Sequence, residues 1–163
     1  MKKIFLVRHA ESSISSLSIS DFDRPLSKNG ILESNLISSK LKENKISIDC
    51  FISSSAKRAK STAKIFAENF NYNTKDIIIN SYIYNSSAYD LINIIYNIPN
   101  HFNEVLIFGH NPSLHDVAQR LTNKVIHKFP TCSVCCIEFK IDNWTQVRFG
   151  KKNFLIYPSQ FKV

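Results

Sequence analysis

The fold is decided by the stretch IFLVRHAES at residues 4–12, in which four apolar residues precede Arg8 and His9. An apolar run without polar alternation is typical of a strand in a parallel sheet that is covered on both faces. In open α/β sheets, ligands bind in the crevice beyond the carboxyl ends of the strands. This stretch therefore predicts that a guanidinium and an imidazole lie where an α/β protein places its chemistry.

Two later stretches also run from an apolar strand into polar residues. A strand at residues 51–55 leads into a helix with Arg58 in its first turns, and a strand at residues 105–108 ends in Gly109 and His110. The first turn of a helix favours anions through its free N–H groups and its dipole. Each feature alone has an ordinary explanation, because an Arg-His pair often forms a surface turn and a helical arginine is often solvated. Their recurrence at three strand ends favours a shared site.

Four motifs occur in a fixed order between residue 4 and about residue 120. They are Arg8-His9-Ala10-Glu11, then Arg24-Pro25-Leu26-Ser27 with Gly30, then Ser53-Ser54 with Arg58-Ala59 and Thr62-Ala63, and finally Gly109-His110-Asn111-Pro112. In this order the motifs resemble the histidine phosphatase superfamily, and more closely its compact SixA-type phosphohistidine phosphatases. The resemblance implies a phosphoglycerate mutase-like fold.

Strand and helix patterns alternate to about residue 125, and a β-rich segment follows. This order predicts an α/β protein, a three-layer α/β/α sandwich whose mostly parallel sheet has one antiparallel edge strand. A helix is predicted to begin after Ser27 and to face the sheet with four apolar residues (Leu32, Leu36, Ile37 and Leu41). Strands are predicted at residues 132–141 and 144–149, joined by a two-residue turn at Asp142-Asn143. Residues 1–163 are expected to form a single domain.

The chain is basic, with a formal net charge of +8, but its lysines are scattered and form no block of like charge. We therefore expect no nucleic-acid partner, and the charge suits acidic, phosphorylated substrates. No apolar run approaches the roughly 18 to 20 residues that a membrane span needs, and the N-terminus lacks a secretory pattern. A cytoplasmic protein, monomeric or weakly dimeric, is expected. Its serine-rich loop at residues 12–20 is predicted to lie near the mouth of the site.

Four cysteines occur at positions 50, 132, 135 and 136. Cys132 and Cys135 have the spacing of a metal or redox pair. Their surroundings, residues 131–141, are rich in strand-forming residues, and side chains three apart in a strand point to opposite faces. We therefore predict reduced thiols here and neither a metal site nor a redox pair.

The resemblance implies that His9 is the phosphorylated catalytic residue and that Arg8, Arg58 and His110 form the phosphate pocket around it. It also implies that Ser12 and Arg24 bind substrate, and that no metal or cofactor is needed. The residue types suit this chemistry, because phosphoryl transfer depends mainly on positioning and charge stabilisation, and the planar fork of arginine matches two oxygens at once. The arginines should keep the imidazole of His9 neutral, and its other ring nitrogen should donate to a backbone carbonyl.

One departure from the family concerns the general acid, which many relatives carry in the stretch that matches residues 81–85. Here Tyr82 occupies roughly the position where a Glu is expected. Loss of general acid–base catalysis lowers the rate by about 10²- to 10⁴-fold, and the full reduction is expected for an alcohol leaving group. The imidazole of a phosphohistidine is a better leaving group. Glu11, Asp21 and Asp23 are possible substitutes for the acid.

The sequence therefore predicts a metal-independent protein phosphohistidine phosphatase whose partner is a phosphorylated protein, for example a histidine-containing phosphotransfer domain. The short chain favours an open pocket that admits a protein side chain. Two alternatives stay open. One is a small-molecule phosphomonoesterase of the same superfamily, and the other is a phosphate-binding module without turnover.

Overall fold

The computed structural model describes residues 1–14 and 18–162 of the chain, in which a six-stranded sheet is flanked by helices. The strands are β1 (Lys2–Arg8), β2 (Cys50–Ser54), β3 (Ile78–Asn80), β4 (Glu104–Gly109), β5 (Val134–Phe139) and β6 (Lys151–Ile156). The α-helices are α1 (Lys28–Glu43), α2 (Lys57–Asn69), α3 (Ala88–Tyr96) and α4 (Ser113–Thr122). Residues 15–17, within the predicted serine-rich loop, lie outside the described residues.

The strands are arranged in the order β3-β2-β4-β1-β5-β6. β3, β2, β4 and β1 pair in parallel, whereas β5 pairs antiparallel with both β1 and β6. The predicted α/β fold with a mostly parallel sheet is therefore confirmed. Its antiparallel strand, β5, lies one place inside the edge that β6 forms.

The central strand β1 is buried on both faces, as its apolar run predicts. Ile4 and Leu6 pack into one apolar cluster with α3 and α4, and Phe5 and Val7 pack into another with α1 and α2. These two clusters make the three layers of the sandwich. They also fix the end of β1, so that the residues after it project from a rigid strand at the carboxyl edge of the sheet.

Helix α1 begins as predicted, with the Ser27 hydroxyl accepting a hydrogen bond from the Gly30 backbone N–H. The predicted inward position of Leu32 is wrong, because that side chain is 69% exposed. The buried face of α1 is partly polar instead. Ser34 and Ser38 lie on it, and each hydroxyl donates to the carbonyl four residues earlier. Such local hydrogen bonds allow small polar residues to occupy buried positions. A prediction based on apolar residues alone assigns these positions to other side chains.

The C-terminal strands are joined by a longer connection than predicted. The two-residue turn at Asp142-Asn143 and the strand at residues 144–149 are both wrong, because Trp144–Gln146 forms a 3₁₀-helix and the last strand is β6. Trp144 is fully buried, and its indole N–H donates to the carbonyl of Phe102. A buried indole N–H needs a hydrogen-bond acceptor, and this need explains why the segment is not part of the sheet.

All four cysteines are reduced and buried, as predicted. Cys132 belongs to the apolar cluster under α1 and α2, whereas Cys135 belongs to the one under α3 and α4, so the pair does not share a face. Burial raises the pKa of Cys50 to about 11 and that of Cys135 to about 12. These thiols therefore act as core side chains. No α-helix in the described residues is long and apolar enough to cross a bilayer.

Candidate active site

His9 follows the last residue of β1 and is 7% exposed. Its Nδ1 lies 2.8 Å from the carbonyl oxygen of Ala10, and the Nε of Arg58 lies 3.3 Å from its Nε2. A carbonyl can only accept and a guanidinium can only donate, so Nδ1 carries the proton and Nε2 presents its lone pair. The geometry gives the imidazole the orientation that the sequence predicts.

The environment of His9 favours the neutral imidazole. Its pKa is lowered to about 4, mainly by burial, with smaller contributions from the positive charges of Arg58, Arg8 and Arg24; the hydrogen bond to Ala10 opposes this shift. An imidazole with this pKa is almost wholly unprotonated at neutral pH. Burial is the main cause, so the predicted effect of the arginines is real but secondary.

The backbone around His9 is held by α2. The Thr62 hydroxyl accepts a hydrogen bond from the Ala10 N–H at 3.0 Å and donates to the Arg58 carbonyl at 2.8 Å. The backbone of Ala10, whose carbonyl orients His9, is therefore tied through its N–H and Thr62 to the helix that carries Arg58. This coupling explains why a Thr four residues after the arginine belongs to the motif.

Arg58 is the second residue of α2 and is 5% exposed, so its interpretation as a solvated helical charge is wrong. Its Nη1 donates to the Asp21 backbone carbonyl at 2.6 Å, and its Nη2 donates to the Asp21 carboxylate at 3.2 Å. Its Nε faces His9. All three guanidinium nitrogens are therefore engaged, which fixes the plane of the fork beside the imidazole.

His110 follows β4, and its ring centroid lies 5.2 Å from that of His9. Its Nε2 lies 2.8 Å from the Ser54 hydroxyl, which also accepts a hydrogen bond from the Ala56 N–H. Burial lowers the pKa of His110 to about 3, with further contributions from His9 and Arg58. His110 is therefore neutral as well. Both neutral tautomers fit this contact, because the Ser54 hydroxyl can either donate to Nε2 or accept from it.

Arg8, the last residue of β1, donates from Nη1 to the Phe129 carbonyl at 3.0 Å. Burial lowers the pKa of this arginine, and its charge in turn lowers the pKa of both His9 and His110. Its Nε and the Nδ1 of His110 are buried and have no hydrogen-bond partner among the described residues. The structure thus brings together the four residues that the sequence assigns to the phosphate pocket.

Ser12 and Arg24, predicted to bind substrate, lie beside this group and bond to each other. Arg24 donates from Nη1 to the Ser12 hydroxyl at 2.5 Å, and from Nε and Nη2 to Asp21 at 3.1 and 3.0 Å. In this arrangement both side chains brace the segment that carries Asp21. Their contact with substrate stays a prediction.

Two roles were not predicted from the sequence, that of Asp21 as a hub and that of Tyr84 as its partner. The Tyr84 hydroxyl donates to the Asp21 carboxylate at 2.6 Å, and the same carboxylate accepts from Arg58 and Arg24. The Tyr84 hydrogen bond, followed by those of the arginines, lowers the pKa of Asp21 to about 2. Conversely, Asp21 raises the pKa of Tyr84. At neutral pH the pair is a carboxylate and a phenol.

The remaining candidates for a general acid lie elsewhere. Glu11 accepts hydrogen bonds from Ser27 and Asn29 at the start of α1, and Asp23 accepts from the Ser20 hydroxyl. Tyr82 is 79% exposed. The described residues therefore place one carboxyl against the arginines, that of Asp21, and it is ionised.

A cavity of about 310 Å³ opens beside these groups. Its lining includes Arg58, His110, Tyr84 and Ser113, the first residue of α4. The Tyr84 ring packs edge-on against His110, with centroids 5.5 Å apart. In the described residues no group of three or more His, Cys, Asp or Glu side chains could hold a metal ion. The site is thus a cationic pocket with two neutral imidazoles.

The lowered pKa values of both histidines predict that acid destabilises the fold. Between the unfolded value of about 6.5 and the folded value of about 4, the unfolded chain binds more protons at His9, so the free energy of unfolding falls as pH falls. For His9 the loss between pH 7 and 4.5 is about 2 kcal/mol. Urea unfolding at both pH values measures it. Between these pH values the free energy of unfolding of the His9→Gln variant should fall by less than that of wild type. An equal fall in both proteins would contradict the prediction.

Comparison with known proteins agrees with this geometry. Residues 4–80 match the model of the histidine phosphatase superfamily, branch 1. Over this stretch, which is slightly less than half of its length, the chain is similar to the histidine phosphatase superfamily.

The fold matches that of SixA proteins. A protein histidine phosphatase SixA solved with tungstate superposes with a TM-score of 0.84 at 21% identity, covering 98% of this chain and 99% of that one. The Agrobacterium tumefaciens protein assigned as phosphohistidine phosphatase SixA gives a TM-score of 0.81 at 21% identity, covering 96% and 98%. An uncharacterized chloroplastic protein of Arabidopsis thaliana is 28% identical over 154 residues, covering 89% of this chain and 70% of the relative.

Proposed function

We propose that this protein hydrolyses phosphohistidine in a protein substrate, through a covalent phosphohistidine formed on His9. The observation that carries the proposal is the state of His9. Its Nδ1 proton is committed to the Ala10 carbonyl, its Nε2 lone pair faces the Nε of Arg58, and a second neutral imidazole, His110, lies beside the ring. A neutral, oriented imidazole in a cationic pocket is the arrangement that a nucleophile toward phosphorus requires.

In the first step the Nε2 of His9 attacks phosphorus and a new P–N bond forms, while the P–N bond of the substrate breaks. For this attack the phosphoryl group has to replace the hydrogen bond that Arg58 donates to Nε2. The guanidinium can then donate to a phosphoryl oxygen from the same nitrogen. The leaving imidazole of the substrate departs as a neutral ring, provided that it takes up a proton before or during cleavage.

The pocket supplies donors for the charge on the equatorial oxygens. The Nε of Arg8 is a buried donor, and the Nδ1 of His110 is a buried ring nitrogen that donates in one of its two neutral tautomers. Neither atom has a hydrogen-bond partner among the described residues. A buried donor left unsatisfied costs about 1–3 kcal/mol, and a phosphoryl oxygen is a suitable acceptor. Binding of the phosphoryl group would thus satisfy both groups while the arginines neutralise its charge.

In the second step water attacks phosphorus on phosphorylated His9, the P–N bond breaks, and inorganic phosphate leaves. His9 returns to the neutral form, because its environment disfavours the imidazolium. Both steps use groups of this chain alone. The scheme needs no metal and no cofactor.

The protonation states of the acidic groups in the pocket favour an imidazole leaving group over an alcohol. Asp21, with a pKa of about 2, has no proton to give at neutral pH, and the raised pKa of Tyr84 makes its phenol a poor acid. An efficient general acid has a pKa near the working pH. An alkoxide would therefore leave slowly, whereas a phosphohistidine imidazole can carry its own proton. A histidine-containing phosphotransfer domain is a suitable protein substrate.

Transfer of label tests the proposal directly. A protein that carries ³²P on histidine is mixed with the enzyme, and acid-labile, base-stable label is followed on both proteins while free phosphate is measured. We expect label to pass through His9, located by peptide mapping, before phosphate appears. Tight binding without label or phosphate release would favour the binding-module alternative. Faster turnover of phosphoserine or a sugar phosphate than of phosphohistidine would favour the phosphomonoesterase.

A further inference from the structure

A larger groove of about 630 Å³ adjoins the catalytic cavity. It runs between the edge strand β3 and helix α3, and it shares three lining residues with the cavity, Tyr84, Asn85 and Ser86. The groove is therefore within reach of the remaining atoms of a substrate whose phosphoryl group contacts His110 and Arg58. The groove has no role in the chemistry proposed above.

The lining of the groove is neutral apart from one acidic side chain. Asn80, Asn93 and Asn97 provide amides, Tyr82 and Ile94 provide apolar surface, and Asp90 is the acidic residue. Of the described residues that line it, none is Lys or Arg. This composition contrasts with the pocket itself, in which Arg8, Arg24 and Arg58 act on His9.

This contrast restricts what the groove can accept. A small substrate with a second anionic group, such as a phosphorylated amino acid or sugar acid, would bring a carboxylate into a groove without a cation. A polypeptide segment has no such charge, and its peptide groups can bond to side-chain amides. The edge strand beside the groove extends this surface, because Ile78 and Ile79 are each more than 40% exposed. Apolar surface beyond a cavity suits a protein partner.

We propose that this groove binds the uncharged polypeptide segment that flanks the phosphohistidine of a protein substrate. The inference rests on the proposed function and goes beyond it, since it assigns recognition of the protein part to residues outside the pocket. Tyr82 is the central anchor, because its ring is 79% exposed on the groove wall and aromatic side chains contribute most at protein interfaces.

The test compares a protein substrate with a small one. Wild type, Tyr82→Ala and Tyr89→Ala are assayed on a phosphohistidine-carrying phosphotransfer domain and on phosphoramidate, whose leaving group is ammonia. Tyr89 is the matched control, because it is a similarly exposed phenol on α3 outside the groove lining. We expect Tyr82→Ala to lower kcat/KM for the protein about 10-fold or more and to leave phosphoramidate unchanged. Tyr89→Ala should change neither rate more than about twofold.

Asn93→Arg provides a second variant, because it places a guanidinium in the groove without touching His9. It should also lower kcat/KM for the neutral-flanked protein and leave phosphoramidate unchanged. If Tyr82→Ala and Asn93→Arg alter neither rate, or alter both rates equally, the groove is not the docking site and the proposed function stands. If wild type hydrolyses neither substrate, the proposed function fails, and this inference fails with it.

Discussion

Replacing His9 with Ala should reduce hydrolysis of a phosphohistidine protein by about 10³-fold or more, because the nucleophile is lost and no other group takes its place. His110 is the nearest imidazole, but its Nε2 faces Ser54 and its ring lies 5.2 Å from that of His9. Phosphate release, measured as kcat/KM and in single turnovers, checks the loss. Covalent labelling of the variant should also disappear.

The same variant should still bind the phosphorylated protein. Arg8, Arg58 and His110 remain, and the charge that the phosphoryl group meets is unchanged. An affinity within a few-fold of wild type would therefore assign the loss to the chemical step. His127→Ala is the matched control, because His127 is an exposed histidine whose removal should leave the rate unaltered. Phosphate release from His9→Ala at the wild-type rate would contradict the covalent mechanism.

The core of the site was predictable because its signals are local. Arg8 and His9 directly follow an apolar run, and His110 follows another. In a parallel sheet the carboxyl ends of neighbouring strands share one edge, and β1 and β4 are neighbours. Adjacent order in the sheet therefore brings the two imidazoles together, although they are 101 positions apart in the chain (110 minus 9).

The link between Asp21 and Tyr84 could not be predicted in this way. The two residues are 63 positions apart, and neither follows a strand of the central sheet. Their contact depends on the 3₁₀-helix at Ser81–Ile83, which buries Ile83 and leaves Tyr82 exposed. The sequence placed Tyr82 roughly at the position of the expected general acid, whereas the tyrosine that contacts Asp21 is Tyr84. A short 3₁₀-helix changes which side chain points inward. The pattern of apolar residues over such a short segment is too weak to predict that change.

The same weakness explains the error at the C-terminal end. Residues 144–149 have the composition of a strand, yet Asn143 and Gln146 satisfy the local backbone donors of a 3₁₀-turn. Such side-chain bonds compete with strand pairing. This segment lies away from the catalytic pocket, so the error in the fold did not alter the predicted chemistry.

Replacing Arg58 with Ala should lower kcat/KM by about 10²- to 10³-fold, the usual cost of removing one preorganised donor to developing charge. Arg58→Lys should recover little, because an ammonium cannot contact His9 and Asp21 together as the planar fork does. The effect should appear mainly in kcat, since stabilisation of the transition state is lost. Arg120→Ala, which removes an exposed arginine at the end of α4, is the matched control.

Asp21 acts on the reaction through Arg58, so Asp21→Asn should cost less, about 10-fold, as expected of a positioning residue. Without the carboxylate, Arg58 Nη2 and the Tyr84 hydroxyl lose their shared anionic acceptor. A double-mutant cycle separates this role from a merely structural one. If Asp21 acts by orienting the guanidinium, Asp21→Asn should have almost no further effect in the Arg58→Ala background. Fully additive losses would instead show that Asp21 affects turnover independently of Arg58, and the hub would then serve the fold and not the phosphoryl pocket.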